Sequence, residues 1–472
     1  VFVGSLNPIN TGLLYGFATF FYPIMQNSGI TQYLLNTTKM NQLIERNLTP
    51  EELFIVLCCR NMAAIESIGA INDLITKKLD WDVILNMVHL HEIAGIIHAA
   101  LSQCCNIGHV PANLLKKLET TNRGNALRNL LYSKEFNKIL ENFNRADIRT
   151  IPLKGIEFLH SIYAHNIALR NLADIDLLVE KENMSRAEKI LTDMGYMSKK
   201  TDYRYSLMHF HSVFWRRQGT LPIILELHWD VDFPDSPFNI DIAECWERCQ
   251  DFSNGKVNYY AFSIEDSIIF NSFHILRSTT IKPDPVLSLK YFCDIARIIA
   301  QSGGPINWDG IIKRSQKYNV LRPVALVLLL VQELLGVTAI PPVVAETLRT
   351  AGYRDDFGLC AVKGYIFPRL NSAKDQLPFY MVDVSSQPTV RKKIGVILSA
   401  PAIMMQLYKR LYYADPYPSV VKTVSSITWY YINKTIKTLA LYVIAPAKAR
   451  ALKNNLIIQY QKNQEVINWL RG

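Results

Sequence analysis

Asp174 and Asp176 stand two residues apart in the stretch Arg170–Val179, RNLADIDLLV, where Ile175, Leu177 and Val179 alternate with them. That alternation has the period of a β-strand, so both carboxylates share one face, roughly 7 Å apart along the backbone. Two like charges so close repel unless a cation or a shared proton lies between them. The plain alternative is a half-buried edge strand with a solvated acidic face. The neighbouring residues must decide. A third carboxylate, Glu226, lies in the apolar strand pattern IILELHW, with His228 two residues on and on the same face. Lys154 and Gly155 end a short strand pattern where a helix pattern begins, a position at which backbone N–H groups and the helix dipole favour phosphate. Gly155 permits close backbone approach, Lys154 adds a point charge, and Arg170 has the fork geometry for phosphate oxygens. Carboxylates together with substrate phosphates are the oxygen donors that Mg²⁺ prefers. Two such ions about 3.5–4 Å apart stabilise the attacking and leaving oxygens of an in-line displacement.

The elements that must position these residues follow from periodicity. Residues 41–145 read as helical: Thr49 can cap a helix whose first turn holds Glu51 and Glu52, and apolar residues recur at three- and four-residue intervals beyond it. Residues 146–260 alternate. TIPL predicts a strand, GIEFLHSIYAH a helix, DIDLLV a strand and KENMSRAEKILTDMGY an amphipathic helix. SLMHFHSVFWRR and LPIILELHWDV predict two further strands joined as a hairpin near Gln218 and Gly219. Residues 261–350 return to helix, and 351–472 form a basic helical C-terminal region. The expected fold class is α+β: a small mixed sheet of about four or five strands with flanking helices, between N- and C-terminal helical regions.

At 472 residues, with 49% hydrophobic and 19% charged residues, the chain has a globular composition and more length than one ordinary core requires. Its eight cysteines include the neighbours Cys58–Cys59 and Cys104–Cys105 and the helically spaced Cys245 and Cys249. None forms a CxxC pair and no Cys/His group has zinc-ligand spacing, so free thiols in a reducing, cytoplasmic setting are expected. Residues 1–39 contain no Lys before Lys39 and no Arg, Asp or Glu, and the run LLYGFATFFYPIM is too short to span a bilayer. They read as a translated upstream extension, with Met40 as the natural start. The net charge of +10 is concentrated in residues 391–472, which hold 13 Lys and Arg against Asp415 and Glu465. There Ile432, Ile436, Leu439 and Val443 form one helical stripe beside Lys434 and Lys437. This tail suits nucleic acid or an anionic membrane surface, and equally a helical cap with a solvated basic face.

The order of strand, Lys-Gly turn, helix, Asp-x-Asp and later acid resembles the nucleotidyltransferase superfamily that includes aminoglycoside nucleotidyltransferases and DNA polymerase β. The set LKG, Tyr163, Arg170, DIDLLV, GY and ELHW is similar to a narrower bacterial family of uncharacterised nucleotidyltransferases, relatives of abortive-infection toxin nucleotidyltransferases. The likeness extends over roughly residues 50–350. It implies transfer of an NMP from an NTP such as ATP to an acceptor (a small molecule, peptide or RNA), with pyrophosphate released and Mg²⁺, as two ions, as cofactor. Asp174, Asp176 and Glu226 are then the catalytic metal ligands, and Glu226 also helps deprotonate the acceptor. Lys154 and Gly155 hold the triphosphate. Arg170 either clamps phosphate or orients Asp174 through an ion pair. Lys290 either reaches the phosphates or pairs with Asp294 on an exposed helix face. His228 is a packed strand histidine or a donor to Glu226, and His209, His211 and His274 carry no assigned chemistry. Many superfamily members have Gly-Gly or Gly-Ser where this chain has Lys154–Gly155, followed by Ile156. The alternatives are a nucleotidyltransferase fold kept for binding alone and a glycosyltransferase using an Asp-x-Asp metal site. The latter needs neither Glu226 nor the Lys-Gly turn.

Overall fold

The computed structural model describes residues 47–60, 65–198, 210–218, 221–234, 236, 238–277, 286–367, 465–466 and 469–470. Among the described residues, five α-helices precede the sheet: α1 (Pro50–Cys59), α2 (Ile65–Ile75), α3 (Trp81–His91), α4 (Ala94–Leu101) and α5 (Ala112–Arg145). Helix α1 begins where its sequence dictates. The Thr49 hydroxyl accepts from the Glu52 amide at 3.2 Å, and the Glu52 carboxylate accepts from the Thr49 amide at 2.8 Å.

The main sheet contains β1 (Thr150–Leu153), β2 (Ile175–Val179), β3 (Met197–Ser198), β4 (His211–Gln218) and β5 (Leu221–His228), in the spatial order β1-β2-β5-β4-β3. Strands β2 and β5 run parallel, and the other pairs are antiparallel. Helix α6 (Lys154–His160) follows β1, and α7 (Met184–Asp193) lies between β2 and β3. This is the mixed sheet of an α+β fold that the pattern predicts. Strand β2 is internal and all five of its residues are buried, so the solvated-edge reading of Asp176 does not hold. The cause is lateral: β1 covers one side of β2 and the apolar β5 the other.

The alternation sorts the sheet into two faces. Ile175, Leu177 and Val179 join Leu225 and Leu227 in the main apolar core beneath the sheet, with Phe136, Ile139 and Leu140 of α5. The opposite face carries Asp176 and then Leu178, which packs with Ile151, Leu153, Val231, Trp246 and Phe270 in a smaller apolar cluster. The acids therefore sit at one end of a face that is otherwise greasy.

After the sheet come α8 (Ile242–Arg248), the hairpin β6 (Gln250–Ser253) and β7 (Asn258–Ala261), and then α9 (Ile264–Arg277), α10 (Leu289–Ala300), α11 (Trp308–Lys317), α12 (Leu321–Leu335), α13 (Pro342–Thr350) and α14 (Asp355–Ala361). The strand patterns in the sequence do not predict β3 or the β6–β7 hairpin. For the hairpin a signal existed in Asn254–Gly255: Gly255 has φ +80°, and the Asn254 side chain accepts from the Lys256 and Val257 amides. Among the described residues no helix is long and apolar enough to cross a membrane. The greasy α12 is instead a core helix, with Val324 to Val331 all buried. All eight cysteines are free. Residues 1–46, His209, Gly219 and the Ile432–Val443 stripe lie outside the described residues. Of the basic tail, Trp469 packs on Tyr353 and Phe357 and donates to the Ala351 carbonyl at 2.8 Å.

Candidate functional site

The register of the central strands assembles the site. Asp176 lies directly beside Glu226 across the parallel β2–β5 pair and beside Leu153 across β1. Residues side by side in adjacent strands point to the same face. His228 follows Glu226 by two residues and faces His211 of β4 across the antiparallel pair. One patch of sheet thus presents an aspartate, a glutamate and two histidines.

The atoms converge closely. His228 Nε2 is 3.0 Å from Asp176 Oδ1 and 3.4 Å from Glu226 Oε2. His211 Nε2 is 3.9 Å from the same glutamate oxygen and its ring stacks on His228 with centroids 5.0 Å apart. Donor atoms of Asp176, Glu226 and His228 all lie within 4.8 Å of one another, a spacing that suits a bound cation. Lys154 completes the group, its Nζ 2.9 Å from Asp176 Oδ1. To aim its side chain there Lys154 adopts φ +53°, a left-handed conformation that costs a residue with a Cβ about 1 kcal/mol. Gly155 needs no such freedom. A Cβ on it would come 2.5 Å from Leu172 Cδ1, so the glycine allows the turn to press against the loop that leads into β2.

Electrostatics follow from this packing. Burial opposes charge on Asp176, but the Lys154 ammonium and the His228 hydrogen bond hold its pKa well below the usual carboxylate value. Burial likewise works against Glu226, but the hydrogen bond to His228 and the Lys154 charge hold its pKa below the usual carboxylate value. His228 itself is pulled down by burial and raised further by its bonds to the two acids, a net upward shift. His211 is lowered to about 3 by burial and is neutral. Asp174, half-buried and just before β2, behaves oppositely: burial first, then the charges of Asp176 and Glu226, push its carboxyl up to about 7. The three acids therefore sense one another, and Lys154 and His228 offset their charge in the absence of an ion.

The loop before Asp174 is held from beneath by α5. Asn129 Nδ2 donates to the Ile167 and Arg170 carbonyls at 2.6 and 2.7 Å, and the Tyr132 hydroxyl donates to the Ala173 carbonyl at 2.9 Å. Gly95 of α4 presses so tightly on this loop that a Cβ there would lie 2.3 Å from the Ala168 oxygen.

Three side chains sit elsewhere than the spacing suggests. Arg170 is buried, and its partner is Asp294 of α10, not Asp174: Nε lies 2.9 and 3.0 Å from the two carboxylate oxygens and Nη2 2.9 Å from Oδ2. The Tyr163 hydroxyl donates to the same carboxylate at 2.9 Å. Asp294 is thereby engaged, so Lys290 does not form the exposed pair with it. Lys290 is itself buried, ion-pairs with Glu92, and is lowered to about 8 by burial. Helical spacing alone cannot show that this face of α10 is covered. His228 is no passive packing residue, since its closest polar partner is Asp176 rather than Glu226. Tyr291, unmarked by any motif, lies beneath the Arg170 guanidinium at 5.5 Å, and burial, opposed by the charges of Arg170 and Lys154, raises its hydroxyl pKa.

Comparison with curated proteins and with solved structures found no match. A family model described as an uncharacterised nucleotidyltransferase matches residues 77–336, more than half of the chain, and that span contains the whole sheet, the acids and α10. The chain belongs to the uncharacterised nucleotidyltransferase family.

Proposed function

We propose that the chain transfers a nucleoside monophosphate from an NTP to an acceptor nucleophile, releasing pyrophosphate, in a reaction that depends on a divalent cation. The observation that carries this reading is the side-by-side register of Asp176 and Glu226, with Lys154 and the Lys-Gly turn at the end of the adjacent strand. The donor set fits a cation: a buried and a half-buried carboxylate and a buried imidazole converge within 4.8 Å, and acids this close require positive charge to stay ionised. Asp174, Asp176 and Glu226 would hold the ion or ions. When bound, the cation supplies neutralisation of the triphosphate and of the departing pyrophosphate.

The chain's own residues do the rest. Lys154 and the backbone at Gly155 bind the phosphates beside the N-terminus of α6. The acceptor oxygen or nitrogen attacks the α-phosphorus, the bond to pyrophosphate breaks, and Glu226 takes the proton that the nucleophile loses. Arg170 acts at one remove, fixing the loop that carries Asp174 through its bond to Asp294. Lys290, on the same helix α10, pairs with Glu92 just after α3 and so helps fix that helix in place.

Incubation with α-³²P- and γ-³²P-labelled NTPs, a divalent cation and a host acceptor pool tests this. Label transferred from the α position alone, and lost in Asp176→Asn, is the expected result. Transfer of the γ label would identify a kinase. Tight NTP binding without transfer in any pool would leave a binding module, and binding of a nucleotide sugar in preference to NTP would favour the glycosyltransferase.

A further inference from the structure

We infer that His228 is a direct ligand of the site's cation, and that the site therefore selects a first-row divalent transition ion over Mg²⁺. The inference rests on the proposed cation dependence and specifies its chemistry. Carboxylates alone would point to Mg²⁺, which keeps to oxygen donors. The structure adds an imidazole nitrogen in bonding position.

The distances carry the argument. Donors bound to one ion at about 2.1 Å are separated by roughly 3.0 Å along an octahedral edge and roughly 3.4 Å along a tetrahedral one. His228 Nε2 lies 3.0 Å from Asp176 Oδ1 and 3.4 Å from Glu226 Oε2. Both separations fall in the range of neighbouring ligands on one ion, and the third, between the two carboxylates, is no more than 4.8 Å. Nor can His228 swing aside: it is 1% exposed, its ring stacks on His211, and Phe210 tilts against it with centroids 5.6 Å apart. An ion that engages Asp176 and Glu226 together would meet this nitrogen, which would then give up its hydrogen bond to Asp176 and leave the ring's proton on Nδ1, a buried atom with no hydrogen-bond partner among the described residues. A mixed set of two carboxylates and one imidazole suits first-row transition ions, for which nitrogen donors are favourable. His211 is set apart by its 3.9 Å separation from Glu226 Oε2, and it supports the His228 ring by stacking.

The test uses the full-length chain stripped of metal, with Mn²⁺ and Mg²⁺ as probes. Mn²⁺ should bind at least about tenfold more tightly than Mg²⁺ in calorimetric titration. Pulsed electron paramagnetic resonance of the Mn²⁺ complex should show ¹⁴N modulation that changes on ¹⁵N-histidine labelling. That modulation should vanish in His228→Asn and persist in His211→Asn, and His228→Asn should bring the two affinities close together. The labelling experiment needs no variant, so it decides the question even if His228→Asn does not fold. Bound Mn²⁺ without nitrogen modulation, or an unchanged Mn²⁺ preference in folded His228→Asn, overturns the ligand role and leaves cation-dependent transfer standing. Failure to bind either ion, with or without NTP, overturns both.

Discussion

Single side chains at this site hold opposite electrostatic roles. Lys154 already occupies Asp176 as a tethered cation, so an incoming ion must compete with it. Lys154→Met should therefore bind a divalent ion alone more tightly than the parent chain and bind NTP more weakly, two opposite shifts readable in paired calorimetric titrations. If both affinities fall, Lys154 is no competitor of the ion. Asp174 and Asp176 should also part company. Asp176 is buried against Lys154 and His228, and Asp176→Ala leaves the Lys154 ammonium uncompensated and His228 without its closest partner, lowering stability by about 3 kcal/mol or more. Removing one crowded acid does not simply relieve repulsion here. Asp174 is the acid that burial, and then the charges of Asp176 and Glu226, push toward its protonated form. Its folded pKa is raised to about 7 from 3.8, so the stability tied to its protonated form is present below the lower value and lost as pH rises through the upper one. The metal-free protein should lose melting temperature between about pH 4 and pH 7, and Asp174→Asn should flatten part of that fall. The remainder belongs to Glu157, which burial also raises to about 7. An identical pH profile in Asp174→Asn would show that its carboxyl is not perturbed.

At the scale of elements, the loop between α6 and β2 is the joint of the molecule. Helix α5 reaches it through Asn129 and Tyr132, α4 through the bare backbone of Gly95, and α10 through the Asp294–Arg170 pair. These contacts fix where β2 begins and hence where Asp174 stands. Both members of the ion pair are almost fully buried, at 3% exposure for Arg170 and 1% for Asp294. Taking away one partner strands a charge in a low-dielectric setting. Asp294→Ala should cost about 3–5 kcal/mol in urea unfolding, whereas the double variant Arg170→Met/Asp294→Leu should recover most of that loss. A double variant as unstable as the single one would mean that Tyr163 or Tyr291, not charge pairing, dominates the joint.

Across the whole molecule, the main apolar core runs from Phe54 in α1 through the sheet to Val466 near the C-terminus. The end of the chain therefore belongs to the fold: besides its packing on Tyr353 and Phe357, the Trp469 carbonyl accepts from Arg322 Nη1 at 2.8 Å. Trp469→Ala should lower stability by about 1–2 kcal/mol, the transfer free energy of a half-buried aromatic, without changing cation affinity. A change in cation affinity would indicate that this end of the chain communicates with the sheet.

The sequence by itself determined what local rules can encode. Strand alternation placed Asp176 on one face, Glu226 and His228 on another strand's matching face, and Thr49 at a helix start, because side-chain period and capping depend on residues within a few positions; Asp174, expected on the same strand face, lies in the loop just before β2. The α+β class followed from the same patterns. Only the tertiary structure decided the rest. Register between β2 and β5 set Asp176 beside Glu226, and hydrogen-bond pairing across fifty residues is not written in either strand alone. His228 turned to Asp176, Arg170 to Asp294 and Lys290 to Glu92 because each partner comes from a distant element that packing brings near. A charge buried by folding takes the nearest opposite charge in space, and sequence spacing shows only the one nearest along the chain.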